Sequence, residues 1–217
     1  KALRQVCTER GIVLIFDEVF VGFRLAPGGA QEYFGVTPDL AAFGKALANG
    51  FPLSAIVGRA DIMNEMENVF FSGTFGGETL SLTAARVVLD RMATGKPTAE
   101  LARIGESLAN SVVEAIPTGL QSHFSLSGHP SWMILNWTIE DPETLAEAKT
   151  LFLQEMLRRG VLVLNTHDVT TSFSAADSAR VTTAYRESLG IVEAGLAAGT
   201  LVDQLECEPI RPLFSVR

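Results

Sequence analysis

The chain has 217 residues, 47% of them hydrophobic, with a mean hydropathy of +0.24, which excludes a disordered tail and leaves room for one or two globular domains. A formal net charge of −8 with no basic run argues against nucleic-acid binding, and no apolar stretch reaches the roughly 18 residues of a membrane span. Cys7 and Cys207 lie near opposite ends without CxxC spacing, so neither a disulfide framework nor a zinc site is indicated and a reducing cytoplasm is expected.

The opening KALRQVCTERG reads as the tail of an amphipathic helix, with Leu3 and Val6 on one face and Gly11 as its C-terminal stop. A chain that starts inside a helix leading straight into a core strand is expected to be a fragment, with an N-terminal segment missing. A strand is predicted over 12–20 (IVLIFDEVF), a short helix over 44–50 (GKALANG) ending at Gly50, and a second strand over 53–58 (LSAIVG). A helix over 60–69 (ADIMNEMENV) follows, then the loop FSGTFGGE and a longer helix from about Thr79 to Met92. Near-continuous apolar strands separated by helices predict a mainly parallel sheet covered on both faces, an α/β architecture.

The second half changes character. After TGKPTAE (94–100), a helix to about Ala115 leads through IPTG to the strand-like FSLSG and WMILNWTI. An amphipathic helix from about Pro142 to Arg159 precedes the apolar GVLVL, and a last helical region spans about Ser174 to Ala198. This mixture predicts a smaller α+β domain, with domains 1–98 and 99–217. There is no internal repeat or low-complexity tract.

Two features carry chemistry. In LIFDEVFVGFR, Asp17 and Glu18 interrupt an apolar run. A buried carboxylate without a partner costs several kcal/mol or takes up a proton, so at least one of the two must meet a cation or a hydrogen-bond donor. In FGKALANG, Lys45 follows Gly44 at a loop-to-helix junction among Phe43, Ala46 and Leu47. An ammonium ion loses hydration in so apolar a setting, and a lysine held as the neutral amine can attack a carbonyl to form a Schiff base. The same residues also allow a stem that covers the core and a head that reaches solvent.

Three stretches in order, LIFDEVFVGFR, GVTPDLAAFGKALANGFPLSAIVGR and FSGTFGG, resemble consecutive motifs of the class III, pyridoxal-phosphate (PLP)-dependent aminotransferases, in particular the branch that includes glutamate-1-semialdehyde aminomutase. The resemblance is close over most of residues 1–95 and weaker, though collinear, to the end. It implies a type I PLP-dependent transferase fold, with 1–98 as the C-terminal part of the PLP-binding large domain and 99–217 as the small domain.

It also implies roles. Asp17 would pair with the protonated pyridine nitrogen of pyridoxal 5'-phosphate, a buried anion whose partner is a ligand. Val19, two residues along the strand, would lie against the ring face. Glu18 would point the other way and bond to protein groups or water. Lys45 would carry the cofactor as an internal aldimine and, once freed, move a proton between substrate Cα and cofactor C4′. Thr74 would reach the cofactor phosphate of the neighbouring subunit, so a homodimer with shared active sites is implied.

The implied reaction moves an amino group between an amine donor and a carbonyl acceptor. Its nearest rival is an intramolecular aminomutase of the glutamate-1-semialdehyde type. The third reading is a catalytically incomplete fragment with an assembly role, because the family's N-terminal half, with its main phosphate loop and stacking aromatic residue, is absent from the sequence. Residues 160–177 (GVLVLNTHDVTTSFSAAD) are shorter than the aminomutase segment and lack its Phe-Glu-Ala stretch, which counts against glutamate-1-semialdehyde as the substrate.

Other features carry less. PGGAQ (27–31) lacks the context of a dinucleotide fingerprint, and the residues before Gly44-Lys45 do not form a P-loop. His123, His129 and His167 are scattered without ligand spacing, so surface or loop positions and no metal site are expected. Trp132 and Trp137 flank a strand and are expected in the core. Arg24 is open to two readings, a substrate carboxylate or an ordinary salt bridge.

Overall fold

The computed structural model describes residues 1–70 and 72–211; Phe71, which opens FSGTFGG, lies outside the described residues. Contacts divide the chain into two units, Lys1–Glu100 and Leu101–Arg217.

The first unit opens with α1 (Ala2–Glu9), closed by bonds from Gly11 N–H to Thr8 C=O and Ile12 N–H to Cys7 C=O, with Gly11 left-handed at φ 63°. Its attached side is not the one the apolar pattern predicts. Leu3 and Val6 are exposed, Cys7 is buried and Arg4 is ion-paired, so the helix is held through Arg4 and Cys7, neighbours on one face.

Arg4 meets Asp39, whose carboxylate ties three segments together. It accepts Leu14 N–H at 2.7 Å, Arg4 at 2.7 Å and Arg59 at 3.0 Å. The Leu14 amide first, then the two guanidinium groups, hold the Asp39 carboxyl well below the usual carboxylate range.

Strands β1 (Ile15–Asp17), β2 (Leu40–Phe43) and β3 (Ala55–Gly58) form one sheet in the order β1-β2-β3. β1 and β2 are parallel, pairing Ile15 with Leu40 through Asp17 with Ala42, and β3 joins β2 antiparallel, a common edge on a parallel pair. β1 is shorter than the predicted 12–20. Asp17 Oδ1 accepts Val19 N–H at 3.0 Å and Glu18 C=O accepts Gly22 N–H at 2.8 Å, so a local turn takes donors that a ladder would have used.

Between β1 and β2 lies α2 (Gly29–Phe34). Residues 60–69 divide into α3 (Ala60–Met63) and a 3-10 stretch (Asn64–Asn68) with no buried residue, so packing does not reward a longer α-helix there. α4 (Thr79–Met92) has its predicted bounds, capped by Glu78, whose carboxylate accepts Leu80 and Ser81 N–H. Phe23 and Phe43, with ring centroids 5.5 Å apart, join Ala41, Leu47, Ala48 and Ala85 in the core.

α5 (Lys96–Ala115) starts inside TGKPTAE, since Pro97 is tolerated in a first turn. The second unit holds the hairpin β4 (Phe124–His129) and β5 (Trp132–Trp137), then α6 (Pro142–Arg158), β6 (Thr166–Asp168) and α7 (Ala175–Ala198). Asp141 caps α6, and Ser174 with Asp177 forms a capping box on α7. GVLVL makes no ladder: Val161 and Val163 are buried, Leu162 and Leu164 exposed, and β6 pairs with β5 instead. Phe124, Phe152 and Tyr185 centre the core, and half-buried Trp137 packs edge-on against the two phenylalanines. Among the described residues no helix is long and apolar enough to cross a membrane, and no three His, Cys, Asp or Glu side chains are grouped to hold a metal.

His167 is neither a surface nor a loop residue. It is buried in β6, with Nε2 2.6 Å from the Tyr185 hydroxyl. Burial pushes its pKa down from 6.5 to about 4. The unfolded chain therefore binds the extra proton first as pH falls through 6.5. Stability present above that pH should decline, by about 3 kcal/mol in all, until pH reaches about 4. Urea melts across this range, followed by fluorescence of Trp132 and Trp137, both in this unit, should show the slope. His167→Gln should flatten it.

Candidate active site

Parallel pairing of β1 with β2 brings their C-terminal ends to one edge, the side where open α/β sheets bind ligands. Asp17 ends β1, and Gly44-Lys45 follows β2 directly.

At that edge the two adjacent carboxylates part. Glu18 is 1% exposed and turned to the start of α2, where its oxygens accept Ala30 N–H at 2.7 and 3.0 Å and Gln31 N–H at 3.3 Å. Positive partial charge at a helix start suits a carboxylate. Gly29 permits the approach, since it sits at φ +75° and a Cβ there would lie 2.7 Å from both Glu18 oxygens. Asp17, expected to be buried, is exposed in this chain. β1 ends at that residue and the turn carries the following chain away from it. Among the described residues the one donor on its carboxylate is Val19 N–H.

Val19 belongs to the turn, not to a strand, yet it still reaches the junction. A Cβ placed on Gly44 would lie 3.4 Å from Val19 Cγ1. Gly44 is extended at φ −166°, and Lys45 opens a 3-10 turn (Lys45–Leu47) at φ 42°. Positive φ is sparsely populated by side-chain-bearing residues and recurs at functional sites.

Lys45 lacks the apolar burial expected from its neighbours. Phe43 and Leu47 are buried whereas Lys45 is exposed, because its left-handed backbone departs from the path that carries them into the core. Its Nζ lies 4.6 Å from the centroid of the Phe20 ring, and Arg24 Cζ lies 5.7 Å from the same centroid. No carboxylate among the described residues pairs with Lys45 Nζ.

The edge thus brings Asp17, Val19 and Lys45 together. Thr74 stands apart, exposed in the turn before α4, with no hydrogen bond to those three among the described residues. Phe20 is the neighbour that sequence reasoning missed. In an apolar run it carries no periodic signal that would mark it as a partner of lysine.

A proton-bearing ring nitrogen would find at Asp17 a carboxylate with an oxygen to spare among the described residues, and a carbonyl would find at Lys45 an exposed amine with no carboxylate partner among them. The residues present therefore fit pyridoxal phosphate.

A family model described as aminotransferase class-III matches residues 1–177. Glutamate-1-semialdehyde 2,1-aminomutase of Methanothermobacter thermautotrophicus is 39% identical over 171 residues, covering 74% of this chain and 40% of the relative. The protein of the same name from Syntrophobacter fumaroxidans is 50% identical over 93 residues, covering 42% and 22%. Among solved structures, a transaminase with PLP bound superposes with a TM-score of 0.77 at 25% identity, over 89% of this chain and 47% of that one. A β-phenylalanine aminotransferase from Variovorax paradoxus gives 0.76 at 24% identity over 89% and 47%. The chain therefore has the fold of these transaminases, the type I fold expected above, and spans less than half the length of the relatives it matches.

Proposed function

The chain belongs to the class III aminotransferases, and from that premise we propose that it forms the lysine-bearing part of a PLP-dependent aminotransferase that moves an amino group from an amine donor to a carbonyl acceptor. The observation that carries this reading is the amine of Lys45 and the open carboxylate of Asp17 at the ends of adjacent parallel strands. When bound, pyridoxal phosphate supplies a carbonyl that captures amines and a ring that takes up the electron pair left on the substrate carbon.

The chain's residues would do the rest. Lys45 would hold the cofactor and, once released, would carry the proton. Asp17 would keep the ring nitrogen cationic, and Val19, close to Gly44, would offer the ring an apolar contact. Residues 1–98 would serve as part of the cofactor-binding large domain and 99–217 as the small domain.

In the same reading Thr74 serves the phosphate of a neighbouring subunit, in a homodimer with shared active sites. Its exposed hydroxyl, in a turn with three glycines nearby, supports that role. Thr74→Ala should weaken pyridoxal phosphate binding about tenfold, read by titration of cofactor absorbance, with the melting temperature unchanged. Unpaired Cys7 and Cys207 fit a reducing cytoplasm.

A second reading, an intramolecular aminomutase, is favoured by the names of the relatives. The deciding experiment loads the assembled protein with pyridoxal phosphate and offers amine substrates with and without a separate keto acid. Turnover that requires the keto acid supports the aminotransferase. Turnover of an amino aldehyde alone supports the aminomutase. Failure to take up cofactor would leave the assembly role.

A further inference from the structure

Resting on the reading of Lys45 above, we propose that Phe20 is the positioning residue for Lys45, its ring face holding the lysine side chain at the site whenever that amine carries its extra proton. Four observations converge on it. The early end of β1 puts Phe20 in the turn after Asp17, half-buried rather than in a strand. Lys45 Nζ is 4.6 Å from the ring centroid, within the range over which a ring face attracts a cation. Among the described residues Nζ has no carboxylate partner, so the ring supplies the directional contact that restrains a long and otherwise mobile side chain. Arg24 approaches the same ring at 5.7 Å, which marks this ring as a cation platform at the strand ends.

The contact favours one state of the lysine. When the neutral amine takes a proton from the substrate carbon, a C–H bond breaks, an N–H bond forms, and the electron pair stays with the carbon. Lysine becomes the ammonium ion. The ring attracts that ion and has little hold on the neutral amine, so the interaction strengthens as the proton arrives, as a catalytic contact must. While the lysine carries the proton, the contact keeps Nζ against the Phe20 ring. The energy of an exposed cation–π contact is modest, so the expected effect on proton transfer is about fivefold.

Lys45 is one of four lysines in this chain, with Lys1, Lys96 and Lys149, and substitution identifies its signal. After reductive methylation of the intact protein with 13C-formaldehyde, without cofactor, the Lys45 methyl signal, assigned through Lys45→Arg, should lie upfield of the others because of the ring current. Phe20→Leu should abolish that shift and Phe20→Tyr should restore it. In the loaded enzyme, Phe20→Leu should slow exchange of the substrate α-proton with deuterated solvent about fivefold at unchanged KM, and Phe20→Tyr should not.

A Lys45 signal among the other lysines in the unsubstituted protein would overturn the proposal, whatever the enzyme's activity. So would a shifted signal with exchange unaffected by Phe20→Leu. Should that variant not fold, the unsubstituted protein and Phe20→Tyr decide. Failure of the underlying reading looks different: borohydride would fix the cofactor to another lysine while the upfield signal persisted, removing the role from Lys45 and hence from Phe20.

Discussion

Lys45→Ala is expected to lower turnover by about a thousandfold or more, a loss of roughly 4 kcal/mol of transition-state stabilisation, while the protein folds as before. Both the covalent attachment and the proton carrier disappear with the amine, and proton transfer by a positioned group alone contributes about a hundred- to ten-thousandfold. The structure separates this loss from one of stability. Lys45 is exposed, has no ion pair among the described residues, and occupies a φ of 42° that alanine would share. Stability should therefore change by no more than about 0.5 kcal/mol. Borohydride reduction of the loaded protein should leave the cofactor on the peptide containing Lys45, and Lys45→Ala should bind it without covalent attachment. Label on any other lysine would remove the assignment.

The second large effect is a contrast between neighbours. Asp17→Asn keeps size and hydrogen bonding but removes the charge opposite the ring nitrogen, so kcat should fall at least about a hundredfold, roughly 2.7 kcal/mol. Its melting temperature should barely move, because the carboxylate is exposed and, among the described residues, holds a single local amide. Glu18→Gln should do the reverse. Two backbone amides at the start of α2 converge on that buried carboxylate. An amide group turns donors toward donors or leaves one unmet, at a cost of about 1–3 kcal/mol in stability, while the folded fraction keeps most of its turnover. Denaturant melts beside kcat for the two variants decide this. Equal losses of kcat would mean that the cofactor faces the other carboxylate.

Local and collinear features were open to reading from the sequence. α4 has the bounds its sequence predicts, and α6 and α7 start where Asp141-Pro142 and Ser174 with Asp177 mark them, since caps and helical faces depend on residues three or four apart. The order and spacing of the three motifs led to the type I fold and the class III family, and they singled out Lys45 and Asp17. Tertiary structure decided what those side chains meet. Asp17 and Glu18 are adjacent, so no pattern of spacing says which is buried; that followed from a turn after β1 and from amides twelve and thirteen residues away. Nothing local in the sequence marks Asp39, because its donors at residues 4, 14 and 59 meet only when α1, β1 and β3 assemble around it. The exposure of Lys45, its contact with Phe20 and the burial of His167 against Tyr185 have the same origin. Each joins residues distant in the chain, and their meeting is set by strand ends and packing rather than by local preference.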